Sequence, residues 1–306
     1  MHHVLSTDDF TREEVLYLIE RAEHLRRLSR PELAVRLRGA VVATLFYEPS
    51  TRTRLSFEAA VAKLGGRVLA AENARENTSA KKGERLEDTF RVVGCYADAI
   101  VIRHHDEQEM VRAAGKSPVP IVNAGAGAGE HPTQALLDVY TLWRELGRID
   151  GLRVCIMGDL KYGRTVHSLL KMLTYFRDID VTLVHPDSLA LPADLEAWLR
   201  ERGLKMARER DMAAALRRSD AIYQTRIQTE RVRSLDEVQE ASAYVIRPEH
   251  LSLLQPGARI LHPLPRVNEI DMEVDEDERA AYFRQAENGL YIRMALLEEL
   301  LKEVVR

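Results

Sequence analysis

Two hydrophobic patterns alternate along the chain. Short apolar runs such as 40–46 have the length of buried strands, while segments such as 55–64 carry apolar residues three or four positions apart, which is helical spacing. Runs of the two kinds follow one another through most of the sequence, a rhythm typical of parallel sheets flanked by helices. The pattern therefore predicts an α/β fold.

The predicted elements follow from these runs. Strands are predicted at residues 40–46, 67–71, 99–102, 119–123, 153–157, 181–184, 221–224 and 259–261. Helices are predicted at residues 55–64, 84–93, 132–146, 165–173 and 193–202. Two more are predicted, one that begins at a capping box at residues 11–14 and one at the C-terminus. In the C-terminal helix the apolar stripe comprises Leu290, Met294, Leu297, Leu301 and Val304.

The length of the chain bears on its domains. Its 306 residues exceed what one compact core usually holds, so two domains are expected. We predict a first domain at 1–134, completed by the C-terminal helix at 288–306, and a second at 151–287. Residues 135–150 would form an interdomain helix and linker, giving two parallel sheets flanked by helices and joined by interdomain helices.

Composition excludes several classes of protein. The 44 Lys and Arg residues against 48 Asp and Glu residues give a net charge of -4, so no overall basic field favours nucleic acid or an anionic membrane. No apolar run reaches the ~18 residues of a membrane span, and we expect a cytoplasmic protein. Cys95 and Cys155 lie in apolar surroundings, so both are expected to be buried thiols outside any disulfide or metal site.

The turn from the strand at 40–46 into the next helix reads Glu-Pro-Ser-Thr-Arg-Thr-Arg, residues 48–54. A helix N-terminus offers backbone N–H groups at the positive end of the helix dipole. Hydroxyls of Ser50, Thr51 and Thr53 and the guanidinium forks of Arg52 and Arg54 add donors that suit a phosphate. The turn is therefore interpreted as a phosphate site, although a simple Ser/Thr-capped helix is the alternative.

Two further segments of the first half carry polar groups. Residues 72–82 have almost no apolar anchor and are expected to form a mobile surface loop. Arg103, His104 and His105 follow the strand at 99–102 and should lie at its carboxyl end, where ligands bind in parallel sheets. A metal site at the two histidines is rejected, because adjacent residues rarely bind one ion and no partner cluster is spaced for it.

A glycine-rich stretch precedes the helix predicted at 132–146. Residues 125–134 read Gly-Ala-Gly-Ala-Gly-Glu-His-Pro-Thr-Gln, where the glycines allow a close backbone approach without the dinucleotide spacing. Pro132 suits the first helical turn, which puts His131 at its start and Gln134 one turn on. A histidine at a helix start is also common as a purely structural cap.

The second half contains three polar turns after predicted strands. The turn at 158–164 has two glycines with four residues between them, unlike the dinucleotide motif, so a nicotinamide site is disfavoured and Arg164 is interpreted as facing a carboxylate. The second turn holds Arg226 and Gln228. The third reads His-Pro-Leu-Pro-Arg at 262–266, where two prolines stiffen the backbone and expose carbonyl acceptors.

Taken together, these motifs resemble those of the aspartate and ornithine carbamoyltransferases over nearly the whole chain. The Ser-Thr-Arg-Thr-Arg run at 50–54 resembles the carbamoyl-phosphate motif, and His-Pro-Thr-Gln at 131–134 resembles the family's His-Pro-x-Gln element. Pro263 stands where the ornithine enzymes have a cysteine, which favours the aspartate-using branch. The resemblance implies carbamoyl transfer from carbamoyl phosphate to L-aspartate, a step of pyrimidine synthesis.

The resemblance also implies a role for each matching residue. The implied catalytic residues are Arg52, Thr53, Lys82, Arg103 and His131. The implied carbamoyl-phosphate ligands are Ser50, Thr51, Arg52, Thr53, Ser79, Arg103, His131, Gln134, Pro263 and Leu264, and the implied aspartate ligands are Lys82, Arg164, Arg226 and Gln228. Thr78 is an alternative to Ser79. No metal or organic cofactor is expected, because the carbamoyl group arrives activated and the departing phosphate can accept a proton.

The resemblance also bears on assembly, and two other functions compete with the one that it implies. In the family three chains form a ring in which each active site borrows a serine and a lysine from the next chain, so a homotrimer using Ser79 and Lys82 in this way is expected. A separate regulatory chain is possible as a partner. The competing functions are a carbamoyltransferase for another amino acid and a non-catalytic phosphate-binding scaffold.

Overall fold

A computed structural model describes residues 2–74, 83–127, 129–228 and 244–305. The chain forms two compact units, one made of residues 1–136 with 288–306 and the other of residues 137–287. We call them unit 1 and unit 2. None of the helices in the described ranges is long and apolar enough to cross a membrane.

Unit 1 is built on a parallel sheet with the strand order β2-β1-β3-β4. Its strands are β1 (Val41–Phe46), β2 (Arg67–Glu72), β3 (Ala99–Arg103) and β4 (Ile121–Asn123). Phe46 at the end of β1 is level with Glu72 and with Arg103, and Ile102 is level with Asn123. The carboxyl ends of these strands therefore meet at one edge of the sheet.

The helices of unit 1 begin where the sequence offers caps and cover the sheet with apolar faces. They are α1 (Arg12–Arg27), α2 (Arg30–Leu33), α3 (Thr51–Lys63), α4 (Leu86–Val93) and α5 (Glu107–Ala114). The Thr11 hydroxyl accepts a hydrogen bond from the Glu14 amide, and the Glu14 carboxylate accepts one from the Thr11 amide, as the capping box predicts. Phe90 and Met110 are fully buried against the sheet beside Ile100, which anchors α4 and α5.

Unit 2 contains a second parallel sheet, with the order β7-β6-β5-β8-β9. Its strands are β5 (Arg153–Met157), β6 (Asp180–Val184), β7 (Lys205–Arg208), β8 (Ala221–Gln224) and β9 (Arg259–Leu261). Its helices are α7 (Arg164–Leu173), α8 (Ala193–Glu201), α9 (Met212–Arg218) and α10 (Pro248–Leu251). The central strands β5 and β8 are almost wholly buried, as expected for strands covered on both faces.

Two helices carry the chain from one unit to the other. They are α6 (Pro132–Leu146) and α11 (Tyr282–Leu300), and the unit boundaries at 136/137 and 287/288 fall inside them. Parallel sheets flanked by helices, with helical connections between the units, confirm the fold class predicted from the hydrophobic pattern.

Two local expectations were wrong, and one strand was missed. Cys95 is exposed, because α4 ends at Val93 and the thiol lies in the following turn, whereas Cys155 is buried and burial raises the pKa of its thiol to about 12. Val304 is exposed beyond the end of α11. Strand β7 was not predicted, because it is an edge strand with a single buried apolar side chain, Met206.

Candidate active site

The turn between β1 and α3 forms a helix N-terminus at the carboxyl edge of the unit 1 sheet. The Arg54 amide donates the first hydrogen bond of α3, to the Ser50 carbonyl oxygen at 3.0 Å. The amides of residues 51–53 therefore stand at the positive end of the helix, where backbone N–H groups favour an anion. This geometry fits the phosphate site interpreted from the sequence.

The side chains of this turn divide into two groups. Thr51 and Arg52 are exposed at the start of α3, whereas Thr53 is 7 % exposed. Arg54 turns toward the sheet and pairs with Glu72 at 3.1 Å and with Glu58 at 3.8 Å. The suggestion that Arg54 serves the phosphate alongside Arg52 is therefore corrected, because two carboxylates already hold its guanidinium group.

Arg103 and His131 approach the same backbone position, Gly125. A Cβ atom on Gly125 would lie 3.1 Å from Arg103 Nη1 and 3.0 Å from His131 Cδ2. The backbone φ of Gly125 is +102°, a conformation that favours glycine. A glycine is required here on both counts, and it lets a guanidinium group and an imidazole ring lie against one short piece of chain.

Buried hydrogen bonds fix the backbone around this pair. The Tyr47 amide donates to the Arg103 carbonyl oxygen at 2.9 Å, and the Gly125 amide donates to Asn123 Oδ1 at 2.8 Å. Next to His131, the buried Glu130 carboxylate accepts hydrogen bonds from both the amide and the hydroxyl of Thr7, each at 2.6 Å. The strand ends and the start of α6 are thus held by groups that are not themselves in the predicted site.

The electrostatics of the unit 1 edge combine cations with one nearby acid. Arg103 Nε lies 3.6 Å from Glu48 Oε2, on the turn that leads into α3. Arg103 and Arg52 with the α3 N-terminus suit a phosphate dianion, and the buried His131 ring can donate to an oxygen that gains negative charge. Gln134, 8 % exposed, lies one turn into α6. The edge is equipped to bind an acyl phosphate.

In unit 2 the buried carboxylate of Asp159 ties two turns together. Its Oδ1 accepts a hydrogen bond from the Tyr162 amide at 2.9 Å, and its Oδ2 accepts one from the Gln228 amide at 3.1 Å. Burial raises the pKa of Asp159 above its ordinary value, although the backbone hydrogen bonds to the carboxylate act in the opposite direction. One side chain therefore connects the turn after β5 with the loop after β8.

These connected turns carry the predicted aspartate ligands of unit 2. Arg164 is half-buried at the first position of α7, and Arg226 is half-buried on the loop after β8. Gln228 Nε2 donates to the Tyr162 carbonyl oxygen at 2.5 Å. Met157 and Gln224 are level in the sheet, so both turns leave from its carboxyl edge. Two arginines at one edge suit a ligand with two carboxylates.

The turn after β9 holds Pro263 and Leu264 in a fixed backbone conformation. Leu264 has φ +53° and precedes a cis peptide bond to Pro265. Its amide donates to His262 Nδ1 at 2.7 Å, while His262 Nε2 lies 2.7 Å from Glu269 Oε1. The buried imidazole therefore fixes the residues whose carbonyls were predicted to accept ligand N–H groups.

Several outcomes follow for the sequence predictions. Ser79, its alternative Thr78 and Lys82 lie outside the described residues. Sequence reasoning did not identify Glu48, Asp159 or Glu269 as supporting groups. Asp159 could have been identified from the sequence, since it directly follows Gly158 at the end of a strand. An aspartate in such a turn commonly accepts hydrogen bonds from backbone amides.

Comparison with known proteins gives matches over the whole chain. The family described as "Aspartate/ornithine carbamoyltransferase, carbamoyl-P binding domain" matches residues 2–144, and the one described as "Aspartate/ornithine carbamoyltransferase, Asp/Orn binding domain" matches residues 150–300. An aspartate carbamoyltransferase catalytic subunit from Methanothrix thermoacetophila is 47 % identical over 302 residues, covering 98 % of each chain. A chloroplastic aspartate carbamoyltransferase from Pisum sativum is 46 % identical, covering 97 % of this chain and 78 % of its own.

Solved structures agree with these matches. The catalytic subunit of aspartate transcarbamoylase from M. jannaschii superposes with a TM-score of 0.92 at 42 % identity, covering 99 % of each chain. An aspartate transcarbamoylase from Trypanosoma cruzi in complex with carbamoyl phosphate and aspartate has a TM-score of 0.91 at 39 % identity, covering 98 % of this chain and 96 % of its own.

The role of Asp159 can be tested without any ligand. Asp159→Ala removes the acceptor of the Tyr162 and Gln228 amides, and leaving a buried donor unsatisfied costs about 1–3 kcal/mol. Hydrogen exchange measured by NMR should therefore become about 5- to 150-fold faster at these two amides. Asp187→Ala is the matched control, because this aspartate of unit 2 is exposed and pairs only with the side chains of Arg208 and Arg210 among the described residues. Wild-type protection of both amides in Asp159→Ala would show that the carboxylate does not hold them.

Proposed function

The chain belongs to the aspartate/ornithine carbamoyltransferase family, and we propose that it transfers the carbamoyl group of carbamoyl phosphate to L-aspartate. The products are N-carbamoyl-L-aspartate and phosphate, in de novo pyrimidine biosynthesis. Two relatives of similar length are named aspartate carbamoyltransferase catalytic subunits. The observation that carries the proposal is the meeting of Arg103 and His131 at Gly125, on the sheet edge that also bears the α3 N-terminus.

Unit 1 is assigned to carbamoyl phosphate. Ser50, Thr51, Arg52 and Thr53 bind the phosphate group with their amides and side chains at the start of α3. Arg103 contacts both the phosphate and the carbonyl oxygen, which polarises the carbon that is attacked. The exposed Arg52 side chain and the positive helix end support this assignment.

The reaction builds negative charge on the carbonyl oxygen as the neutral amine of aspartate attacks. Thr53, Arg103 and His131 are assigned to stabilise that charge. His131 is 4 % exposed and Thr53 is 7 % exposed, so their hydrogen bonds act where little water competes and are worth more than at a surface. Gln134 and the carbonyls of Pro263 and Leu264 are assigned to orient the carbamoyl nitrogen, so catalysis is mainly positioning and electrostatics.

Unit 2 is assigned to aspartate. Arg164 and Arg226 bind its two carboxylates, and Gln228 helps to fix the loop that bears Arg226. The hydrogen bonds that Gln228 of that loop donates to Asp159 and Tyr162 support the assignment, because side chains on a mobile loop lose conformational entropy when a ligand binds.

Assembly and location form part of the proposal. We propose a closed homotrimer in which Ser79 and Lys82 act in the active site of the neighbouring chain, and a cytoplasmic location. Support comes from the sequence of residues 72–82, which has almost no apolar residue to hold a phosphate-binding lysine within its own chain. A separate regulatory chain is compatible with this arrangement.

One assay separates the proposal from its alternatives. Carbamoyl phosphate is supplied with aspartate, with ornithine or with no acceptor, and phosphate release is measured. Release that depends on aspartate supports the proposal. Release that depends on ornithine would indicate a carbamoyltransferase for another amino acid, and no release with either acceptor would indicate a non-catalytic scaffold.

Arg52→Ala and His131→Ala should fail in different ways. Arg52 contacts a dianion before and after the reaction, and a charge-assisted hydrogen bond is worth about 1.5–3 kcal/mol, so carbamoyl phosphate should bind about 10- to 150-fold more weakly. His131 acts on the developing oxyanion, so kcat should fall about 10²- to 10³-fold with a smaller change in affinity. Steady-state kinetics with direct phosphate binding distinguish the two, and equal losses of affinity would contradict this division of roles.

The choice of acceptor is predicted to depend on Arg226. A second carboxylate on the substrate needs a fixed cation, whereas the ammonium group of ornithine would be repelled. Arg226→Ala should raise KM for aspartate by at least about tenfold and leave the affinity for carbamoyl phosphate nearly unchanged. Arg202→Ala, at the end of α8 in the same unit, is the control. An unchanged KM for aspartate in Arg226→Ala would contradict the assignment.

Shared active sites can be tested by mixing two impaired variants, Lys82→Ala and Arg52→Ala, under conditions that exchange subunits, and by assaying the mixture at a low concentration of carbamoyl phosphate. If Lys82 acts on the neighbouring chain, some interfaces of a mixed ring combine an intact Arg52 with an intact Lys82, and activity returns. If each chain completes its own site, every site keeps one defect. Subunit exchange shown by mass spectrometry without recovery of activity would reject the shared site, even for a trimer.

A further inference from the structure

Three potential metal ligands meet just beyond the end of β3. His104 and His105 follow Arg103, and Glu109 lies on the first turns of α5. One ligand atom from each of the three side chains lies within 4.8 Å of the other two. The sequence argument against a metal here had two grounds: adjacent residues rarely bind one ion, and no partner was spaced for the two histidines. The fold supplies that partner through the turn into α5.

We propose that His104, His105 and Glu109 bind a divalent cation of the Zn²⁺ type. Two imidazoles and one carboxylate are a ligand set that suits zinc and leaves a position for water. The proposal goes beyond the carbamoyl transfer proposed above and does not depend on it.

The buried histidine is oriented as a ligand. His104 is 3 % exposed, and its Nδ1 lies 2.9 Å from the carbonyl oxygen of Asp106 and 3.2 Å from the Asp106 amide nitrogen. In the tautomer that donates Nδ1–H to this carbonyl, the lone pair of Nε2 is directed to the cluster. A backbone carbonyl that accepts from the other ring nitrogen is the usual support of a metal-binding histidine. The edge of the ring also packs against Tyr47 at 4.8 Å between centroids.

A direct hydrogen bond does not account for the approach of Glu109. His104 Nε2 lies 3.9 Å from Glu109 Oε2, beyond hydrogen-bond distance. A cation between the two groups would attract both.

The spacing of His104 and Glu109 is close to what one ion requires. Zn²⁺ binds histidine nitrogen and carboxylate oxygen at about 2.0–2.2 Å, so neighbouring ligand atoms of a tetrahedral site lie about 3.4 Å apart. The 3.9 Å separation of His104 Nε2 from Glu109 Oε2 is about half an ångström longer. His105 is exposed and its ring lies 4.2 Å from that of His104, so a change of rotamer can bring its nitrogen to the same ion.

The surrounding backbone holds two of the ligands in place. The Gly127 amide donates to the His104 carbonyl oxygen at 2.9 Å, and Asp106 caps α5 by accepting from the Glu109 amide at 2.9 Å. A Cβ on Gly127 would lie 2.5 Å from the carbonyl oxygen of His105. The glycine-rich stretch therefore packs closely against the segment that bears the histidines.

The test uses the full-length protein after chelator treatment, titrated with Zn²⁺ by calorimetry and with Co²⁺ by visible absorption. We expect one ion per chain, with the d–d bands of a four- or five-coordinate Co²⁺ site, and a higher Tm in the presence of Zn²⁺. Loss of groups that merely orient ligands lowers metal affinity about 10- to 100-fold. His105→Ala and Glu109→Gln should each weaken binding by at least about tenfold and abolish the rise in Tm.

The controls keep the outcome decisive. Both test variants change side chains that are not fully buried, and far-UV circular dichroism checks that they fold, whereas His104→Ala is avoided because its ring is buried. His2→Ala is the matched control, since His2 lies against His3 with ring centroids 4.2 Å apart and could bind metal independently. Binding that persists in both test variants, binding lost in His2→Ala, or no binding to the wild-type protein at millimolar Zn²⁺ would each overturn the proposal.

Discussion

The parallel register of each sheet is the constraint on which the candidate site depends. In unit 1, Phe46 is level with both Glu72 and Arg103, so the turns that leave β1 and β3 begin at one height. The Tyr47 amide then donates across to the Arg103 carbonyl oxygen and extends the pairing beyond the strands. A shift of one residue in β3 would invert the direction of its side chains and remove Arg103 from the edge. The chemistry of the edge is therefore fixed by backbone hydrogen bonds before any ligand binds.

Several arginines lie at this edge and repel one another. Carboxylates placed beside them offset that repulsion. Arg54 is close to two acids, Glu58 and Glu72, at 3.8 Å and 3.1 Å. Arg103 Nε lies 3.6 Å from Glu48 Oε2. Charges near a surface interact weakly through water, so Arg54, which has two acids beside it and the shortest of these contacts, is held to the structure, while a dianion can compete with Glu48 for Arg103.

The sequence was sufficient to predict those elements that depend on residues adjacent in the chain. The limits of β5, β8 and β9 agree with the predicted strands, because short apolar runs between turn residues specify buried strands directly. The same holds for the β1–α3 turn, whose hydroxyl and arginine residues are adjacent in the chain. Signals were insufficient where burial depends on neighbours that are distant in sequence. The exposed Cys95 lies among apolar residues, and the closer partner of Arg54 could not be assigned, because Glu72 reaches it only through strand pairing.

Buried carboxylates show why supporting residues are the hardest part of a site to predict. Burial raises the pKa of Asp159, which means that its charged form is less stable in the fold than in water. The hydrogen bonds that the carboxylate accepts from the amides of Tyr162 and Gln228 offset this cost, and without the carboxylate these two loop amides would lack an acceptor. Glu130 likewise accepts hydrogen bonds from the amide and the hydroxyl of Thr7 in unit 1, next to His131. Each carboxylate is removed from water and holds the backbone beside a functional side chain. Its role can be recognised only when the segments that it joins are known.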